Sequence, residues 1–145
     1  MSKKIIAISG GADPVHVGHL KMAQDAAKYG KVVWILNSDE WLQRKKGYVF
    51  MSWEERAEIL KELECIYDVV PVDDSDGTVC EAIRRIKPDY FGNGGDRTNK
   101  NTPEHALCEG MDIDLVYGLG GEKVQSSSNL VESVTMAMIN MLKRW

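Results

Sequence analysis

Short apolar runs rich in β-branched residues alternate with stretches of helical periodicity along this whole chain, and that alternation restricts it to a sheet covered by helices. Residues 4–9 are an apolar run closed by Gly10-Gly11 and read as a buried strand. From Val17 to about Tyr29, the apolar Leu20, Ala23, Ala26 and Ala27 recur at helical spacing, and Gly30 supplies a stop. Residues 32–36 form a second continuous apolar run, the pattern of a strand buried on both faces. A capping box at Ser52 and Glu55 opens a helix through Arg56, Ile59, Leu60 and Leu63. Residues 66–72 read as a third strand. A second capping box, Thr78 with Glu81, predicts a helix to about Ile86, with Pro88 as its stop. Asp89-Tyr90-Phe91 begins a fourth strand running into residues 92–95. Thr102, with Pro103 at the first helical position, opens a short helix. Residues 112–117 make a fifth strand, and the last helix covers about 128–142.

The expected architecture is α/β: one Rossmann-like domain over residues 1–145, with a five-stranded parallel sheet and helices on both faces. In such sheets ligands sit beyond the carboxyl ends of the strands, where the strand order reverses. The residues expected there are 10–19, 37–39, 92–97 and the turn before the last helix. Residues 92–102 form the most polar loop and are expected to be mobile.

Charge and cysteine content narrow the partners. A formal net charge of −4 lacks the basic excess that non-specific phosphate-backbone binding needs, so no nucleic-acid partner is expected. A local basic pocket for a small anion remains compatible with it. Cys65, Cys80 and Cys108 are too few and too far apart for a disulfide framework or a zinc site, and read as buried thiols. The apolar run after Lys3-Lys4 is too short for a signal-peptide core, and nothing approaches the ~20 apolar residues of a membrane span. A reducing, cytoplasmic location without membrane contact is expected.

The stretch Gly10-Gly11-Ala12-Asp13-Pro14-Val15-His16-Val17-Gly18-His19 carries the strongest chemical signal. It joins a strand to a helix, so backbone N–H groups and the positive end of the helix dipole aim at the ligand edge, which makes an anion site. His16 and His19, three residues apart, fall on one side of the first helical turn. Gly18 has no Cβ to hold a ligand away from the backbone. Two imidazoles beside such donors suit the developing negative charge of a phosphoryl transfer. Incidental histidines at a helix start are the plainer alternative, yet two of the chain's three histidines lie in this one Gly-flanked turn. His-x-x-His is also a zinc pattern, but no cysteine or second histidine pair completes a ligand set, so no metal-binding residue is expected.

These residues resemble the His-x-Gly-His signature of the nucleotidyltransferase superfamily, in its cytidylyltransferase-like branch. Glycerol-phosphate cytidylyltransferases are similar, as is the nucleotidyltransferase half of enzymes that make nucleotide-activated heptose. Asn37-Ser38-Asp39, Arg44 and Lys46-Gly47 resemble the heptose-type enzymes in order and spacing, and Arg56 falls where the family carries an arginine. Gly94-Gly95-Asp96 resembles its Gly-Gly-Asp turn, and Ser126-Ser127-Ser128-Asn129 its Ser-Thr-Thr-Asn run. The resemblance thus covers nearly the whole chain.

It implies transfer of CMP or AMP from CTP or ATP to a small phosphorylated sugar or polyol, with release of pyrophosphate. Catalysis would fall to His16, His19 and Lys46, with Lys46 a mobile point charge closing over the triphosphate. Gly10, Gly11, Ala12, Asp13, Gly18, Gly94, Asp96, Ser126, Ser127 and Ser128 would bind the nucleotide, and Asp39, Arg56 and Arg97 the second substrate. Asp13 has three readings: orienting a histidine, binding Mg²⁺, or forming the turn. Mg²⁺ is expected to bridge phosphate oxygens of the nucleotide. The family also implies a homodimer, for which Trp41, Tyr48 and Trp53 offer apolar area.

Three departures from the family pattern limit this. Ala12 replaces a bulky aromatic, Asn93 a lysine, and Gly120-Gly121-Glu122-Lys123 stands where glycerol-phosphate enzymes carry an arginine. They leave the base and the acceptor open. Adenylyl transfer to a cofactor precursor, of the pantetheine-phosphate or nicotinamide-mononucleotide type, and non-catalytic nucleotide binding are the alternatives.

Overall fold

The computed structural model describes residues 4–94, 102–122 and 125–144. Five strands, β1 (Ile5–Gly10), β2 (Lys31–Leu36), β3 (Ile66–Val70), β4 (Tyr90–Gly94) and β5 (Asp114–Leu119), pair in parallel in the order β3-β2-β1-β4-β5. Six helices accompany them: α1 (Val17–Ala26), α2 (Asp39–Lys46), α3 (Trp53–Lys61), α4 (Cys80–Ile86), α5 (Pro103–Gly110) and α6 (Ser127–Lys143).

Side-chain alternation in the central strands divides the core in two. Ile6 and Ile8 of β1, with Val32, Trp34 and Leu36 of β2, meet Ala23 and Ala26 of α1 and Ala57 and Leu60 of α3. Ala7 and Ile35 point to the other face, against Ala82 and Ile83 of α4 and Cys108 of α5. The strand order reverses between β1 and β4, and crossovers of one hand then place α4 and α5 on the face opposite α1 and α3. Helices on both faces of a parallel sheet are as the sequence pattern predicts.

Three local readings need correction. Helix α2 was not expected, because Trp41 and Leu42 are its sole large apolar residues and give no periodicity. Its ends define it instead. Ser38 Oγ accepts the Trp41 N–H at 3.0 Å, Asp39 and Glu40 fill the first turn, Arg44, Lys45 and Lys46 the last, and Gly47 closes it at φ 83°. The capping box at Thr78 does not form. Val79 is the N-cap without a side-chain bond, and Glu81 reaches the Asp73 N–H and Arg85 rather than back to the cap. Strand β3 stops at Val70, because Pro71 has no N–H for the ladder.

Helix α6 differs from the rest. None of its residues is buried, and Leu130, Val134, Met138, Met141 and Leu142 lie exposed along one side. No described helix is long and apolar enough to cross a membrane.

Candidate active site

A cleft of about 1530 Å³ opens at the carboxyl edge of the sheet, beside the β1/β4 reversal. The chain from β1 to α1 forms its floor. Ala12, 3% exposed and with φ 48°, turns the backbone so that the loop folds under the start of α1.

His16 is the N-cap of α1, a place usually taken by a short oxygen-bearing side chain. Its Nδ1 accepts the Gly18 N–H at 3.0 Å, and His19 Nδ1 accepts the His16 N–H at 3.0 Å. Both Nδ1 atoms are therefore acceptors, so each ring is neutral with its proton on Nε2. The rings stack with centroids 3.9 Å apart, and His19 meets the Trp34 ring edge-on at 5.6 Å. Burial, followed by electrostatic interaction with His16 and with the Lys46 ammonium, lowers the His19 pKa from 6.5 to about 3. Gly18 serves this packing directly: a Cβ there would stand 2.8 Å from His16 Cε1. The sequence suggests that Gly18 makes room for a ligand; the structure shows that the space belongs first to the His16 ring.

The opposite wall is the start of α6. Ser126 Oγ accepts the Asn129 N–H at 2.9 Å, while Ser127 Oγ donates to the Pro14 carbonyl at 2.7 Å. That bond fastens the start of α6 to the loop preceding α1, so two helix N-termini border one cleft. The β5–α6 turn is held from α1, where Asp25 Oδ2 accepts the Gly120 N–H at 2.7 Å. Gly120, at φ 83°, approaches α1 so closely that a Cβ would lie 3.1 Å from the Met22 nitrogen.

Lys46, from the last turn of α2, donates to the Asp13 carbonyl at 3.0 Å and lies over the Tyr48 ring. Burial lowers its pKa, the Asp13 carboxylate acts the other way, and the Arg56 charge lowers it further.

The cleft thus brings together Gly10, Gly11, Ala12, His16, Gly18, His19, Lys46, Gly94 and Ser126 to Ser128. Three other site candidates stand behind its wall. Asp13 is fully buried, and its carboxylate oxygens accept the Phe50 and Met51 N–H groups at 2.7 and 2.6 Å. Those bonds leave it neither on a histidine nor open to a cation. The Arg56 side chain is fully buried and faces Asp39 at 2.6 Å, so neither lines the cleft as a substrate ligand would. Asp96 and Arg97 lie outside the described residues, as does most of the 92–102 loop. Trp53 is half-buried, its Nε1–H donating to the Leu36 carbonyl at 3.0 Å and its side chain packed against the core. Residues the sequence did not single out as site candidates also line the cleft, among them Thr78, Gln125, Glu132 and Thr135. The Ser38 cap, the acidic first turn and Gly47 would have revealed α2 and with it Lys45, which also faces the cleft.

The sequence profile of the cytidylyltransferase-like family matches residues 7–139, almost the whole of this domain. The chain belongs to that family. Among relatives of this cytidylyltransferase-like chain are proteins named bifunctional protein HldE. The one from Geobacter metallireducens is 36% identical over 140 residues, covering 93% of this chain and 28% of the relative. Its counterpart from Sulfurimonas denitrificans is 40% identical over 120 residues, covering 80% and 25%. The chain therefore spans about a quarter of the length of these relatives. A solved structure of a lipopolysaccharide core biosynthesis protein from Thermoplasma volcanium shares the fold, with TM-score 0.68, 18% identity, and coverage of 84% of this chain and 100% of that one. A putative nicotinate-nucleotide adenylyltransferase from Vibrio parahaemolyticus shares it at TM-score 0.59 and 14% identity, covering 94% of this chain and 89% of that one. Among the described residues, no group of three or more His, Cys, Asp or Glu is arranged to hold a metal ion.

Proposed function

We propose that this cytidylyltransferase-like domain transfers a nucleotidyl group from CTP or ATP to the phosphate of a small phosphorylated sugar or polyol, releasing pyrophosphate. One observation carries the reading: two imidazole Nε2–H donors, two helix N-termini and a lysine border a single cleft. An acceptor phosphate oxygen attacks the α-phosphorus, the bond to the β-phosphate oxygen breaks, and pyrophosphate departs with the electron pair. No covalent enzyme intermediate is required, so catalysis rests on position and charge.

His16 and His19 offer N–H donors to the α-phosphate and the bridging oxygen without bringing a full charge. Lys46 supplies the charge, and the Ser126 to Ser128 turn offers hydroxyl and backbone donors to the terminal phosphates. Trp41, Tyr48 and Thr78 border the β2 side with ring faces and a hydroxyl, which suit the C–H and O–H groups of a sugar. Mg²⁺ would enter with the triphosphate and be held by phosphate oxygens and water, since the residues around the histidines are donors rather than carboxylates.

The free thiols Cys65, Cys80 and Cys108 accord with a reducing, cytoplasmic site of action. A homodimer is the assembly the family resemblance implies. The outer side of α6, rather than Trp41, Tyr48 and Trp53, offers the apolar surface for it, and light scattering after size exclusion tests it.

The activity test is pyrophosphate release from each nucleoside triphosphate with Mg²⁺ and a panel of sugar and polyol phosphates. Release with CTP or ATP and one acceptor class is expected. Tight nucleotide binding with no release across the panel would overturn the catalytic reading in favour of a nucleotide-binding protein.

A further inference from the structure

Two oppositely charged side chains are fully buried behind the cleft wall, and both act on the same short piece of backbone. Asp13 accepts the N–H groups of Phe50 and Met51. Arg56 reaches that segment from α3, its Nε donating to the Met51 carbonyl at 2.9 Å. The Met51 backbone is therefore gripped at its N–H by an anion and at its C=O by a cation. The rest of the guanidinium is spent on the cleft's own framework: Nη1 donates to the Gly11 carbonyl at 2.7 Å and the Asn37 carbonyl at 3.0 Å, and Nη2 to Asp39 Oδ1 at 2.6 Å. Those partners lie on the glycine loop, the end of β2 and the first residue of α2. One side chain thus joins four segments that meet around the site.

A buried ion with one partner missing is costly, whereas one with every donor satisfied fixes its surroundings. Among the described residues, no buried side-chain nitrogen or oxygen lacks a partner. The segment so fixed is the return from α2 to α3. Lys46 lies at its start, with its ammonium on the carbonyl of Asp13 itself.

We propose that Asp13 and Arg56 are a pair of positioning residues that clamp the Met51 backbone from both sides and so fix Lys46 at the wall of the cleft. They act through Lys46 and touch no substrate. This deepens the nucleotidyl-transfer reading by giving roles to two residues outside the cleft, but the placement of Lys46 is a property of the empty protein. It is therefore testable without turnover.

The groups around the Lys46 ammonium make opposite effects available. Asp13 faces it from the β1–α1 loop, Arg56 from α3, His19 from α1, and Tyr48 from the following turn, with Arg44 and Lys45 on its own helix. Loss of the Asp13 charge should lower the Lys46 pKa, and loss of the Arg56 charge should raise it. Arg56→Lys keeps the charge but cannot span four acceptors, so it should leave the pKa near its wild-type value while loosening the clamp.

The experiment is an NMR titration of reductively ¹³C-methylated lysines in the ligand-free protein, with Lys46 assigned by Lys46→Arg. Asp13→Asn, Arg56→Gln and Arg56→Lys are compared, alongside pyrophosphate release. Shifts of opposite sign for the first two are expected, with a kcat loss of about 100-fold for Arg56→Lys and little change in acceptor KM, the scale of an ångström-level misplacement. If Arg56→Gln fails to fold, Asp13→Asn and the milder Asp39→Asn carry the test, lowering the Lys46 pKa and kcat respectively. An unmoved Lys46 titration in folded Asp13→Asn would overturn the proposal. So would an acceptor KM effect confined to the Arg56 variants, which would make Arg56 a substrate ligand. Absence of pyrophosphate release with opposite lysine shifts intact would instead count against the activity alone.

Discussion

His19 Nδ1 receives the backbone N–H of His16 while the two rings stack at 3.9 Å, so each histidine of the motif helps to hold the other in place. The geometry commits both Nδ1 atoms to backbone N–H groups. It also ties histidine chemistry to the start of α1, because the same bonds that orient the rings cap the helix.

This arrangement sets a pH dependence for stability. The His19 pKa falls from 6.5 in the unfolded chain to about 3 in the folded one, chiefly through burial. Between those values the unfolded state binds the extra proton, so stability decreases as pH falls through that window. From pH 7 to 4.5 the loss attributable to His19 should be on the order of 2 kcal/mol. Urea unfolding of wild type and His19→Gln at both pH values checks it. The variant should show the smaller pH dependence, and an equal slope would contradict the assignment.

The contact between Gly18 and the His16 ring predicts a non-additive pair. Gly18→Ala places a methyl group 2.8 Å from His16 Cε1, and Gly18 has ordinary negative-φ geometry, so the chief damage is displacement of the ring. His16→Ala should lower kcat by ~10²-fold or more through lost charge stabilisation. Gly18→Ala should cost a substantial part of that factor, yet add little once His16 is already alanine. Rates that multiply in the double variant would show that Gly18 serves some other end.

How much of this was legible beforehand depends on what each element uses to declare itself. Strands β1 and β2 announce themselves because burial on both faces demands continuous apolar runs, as in residues 32–36. Helix α2 does not, because its evidence lies in end chemistry at Ser38 and Gly47 rather than in periodicity. The His16–His19 turn was readable as a site from its place between strand and helix. The burial of Asp13 and Arg56 was not, since charged residues near a motif read as ligands until their partners are seen. Those partners are mostly main-chain groups of Gly11, Asn37, Phe50 and Met51, which no residue type encodes.

Lys46 gives a prediction about charge against reach. Lys46→Met removes the ammonium while keeping most of the stem, and should lower kcat with the triphosphate by ~10²-fold. Lys46→Arg keeps a charge but spreads it over a planar fork that the Asp13 carbonyl and Tyr48 ring do not match. It should recover part of the rate at most. Steady-state kinetics with a saturating acceptor distinguishes the two, and full activity in Lys46→Met would remove the residue from the mechanism.

Ser126 and Ser127 should separate although they are adjacent. Ser126→Ala removes the N-cap of α6 and should cost about 1 kcal/mol of stability, read by denaturant melts. Ser127→Ala removes the bond to the Pro14 carbonyl, the described hydrogen bond fastening the start of α6 to the loop before α1. No α6 residue is buried, so among the described residues this bond and the Asp25–Gly120 bond of the preceding turn are what hold that helix end toward α1. The nucleoside triphosphate KM should therefore rise several-fold in Ser127→Ala, with a stability change of roughly 1 kcal/mol. Ser127→Thr, which retains the hydroxyl, should restore most of the affinity. An unaltered KM in Ser127→Ala would mean that α6 finds its place beside the cleft without this bond.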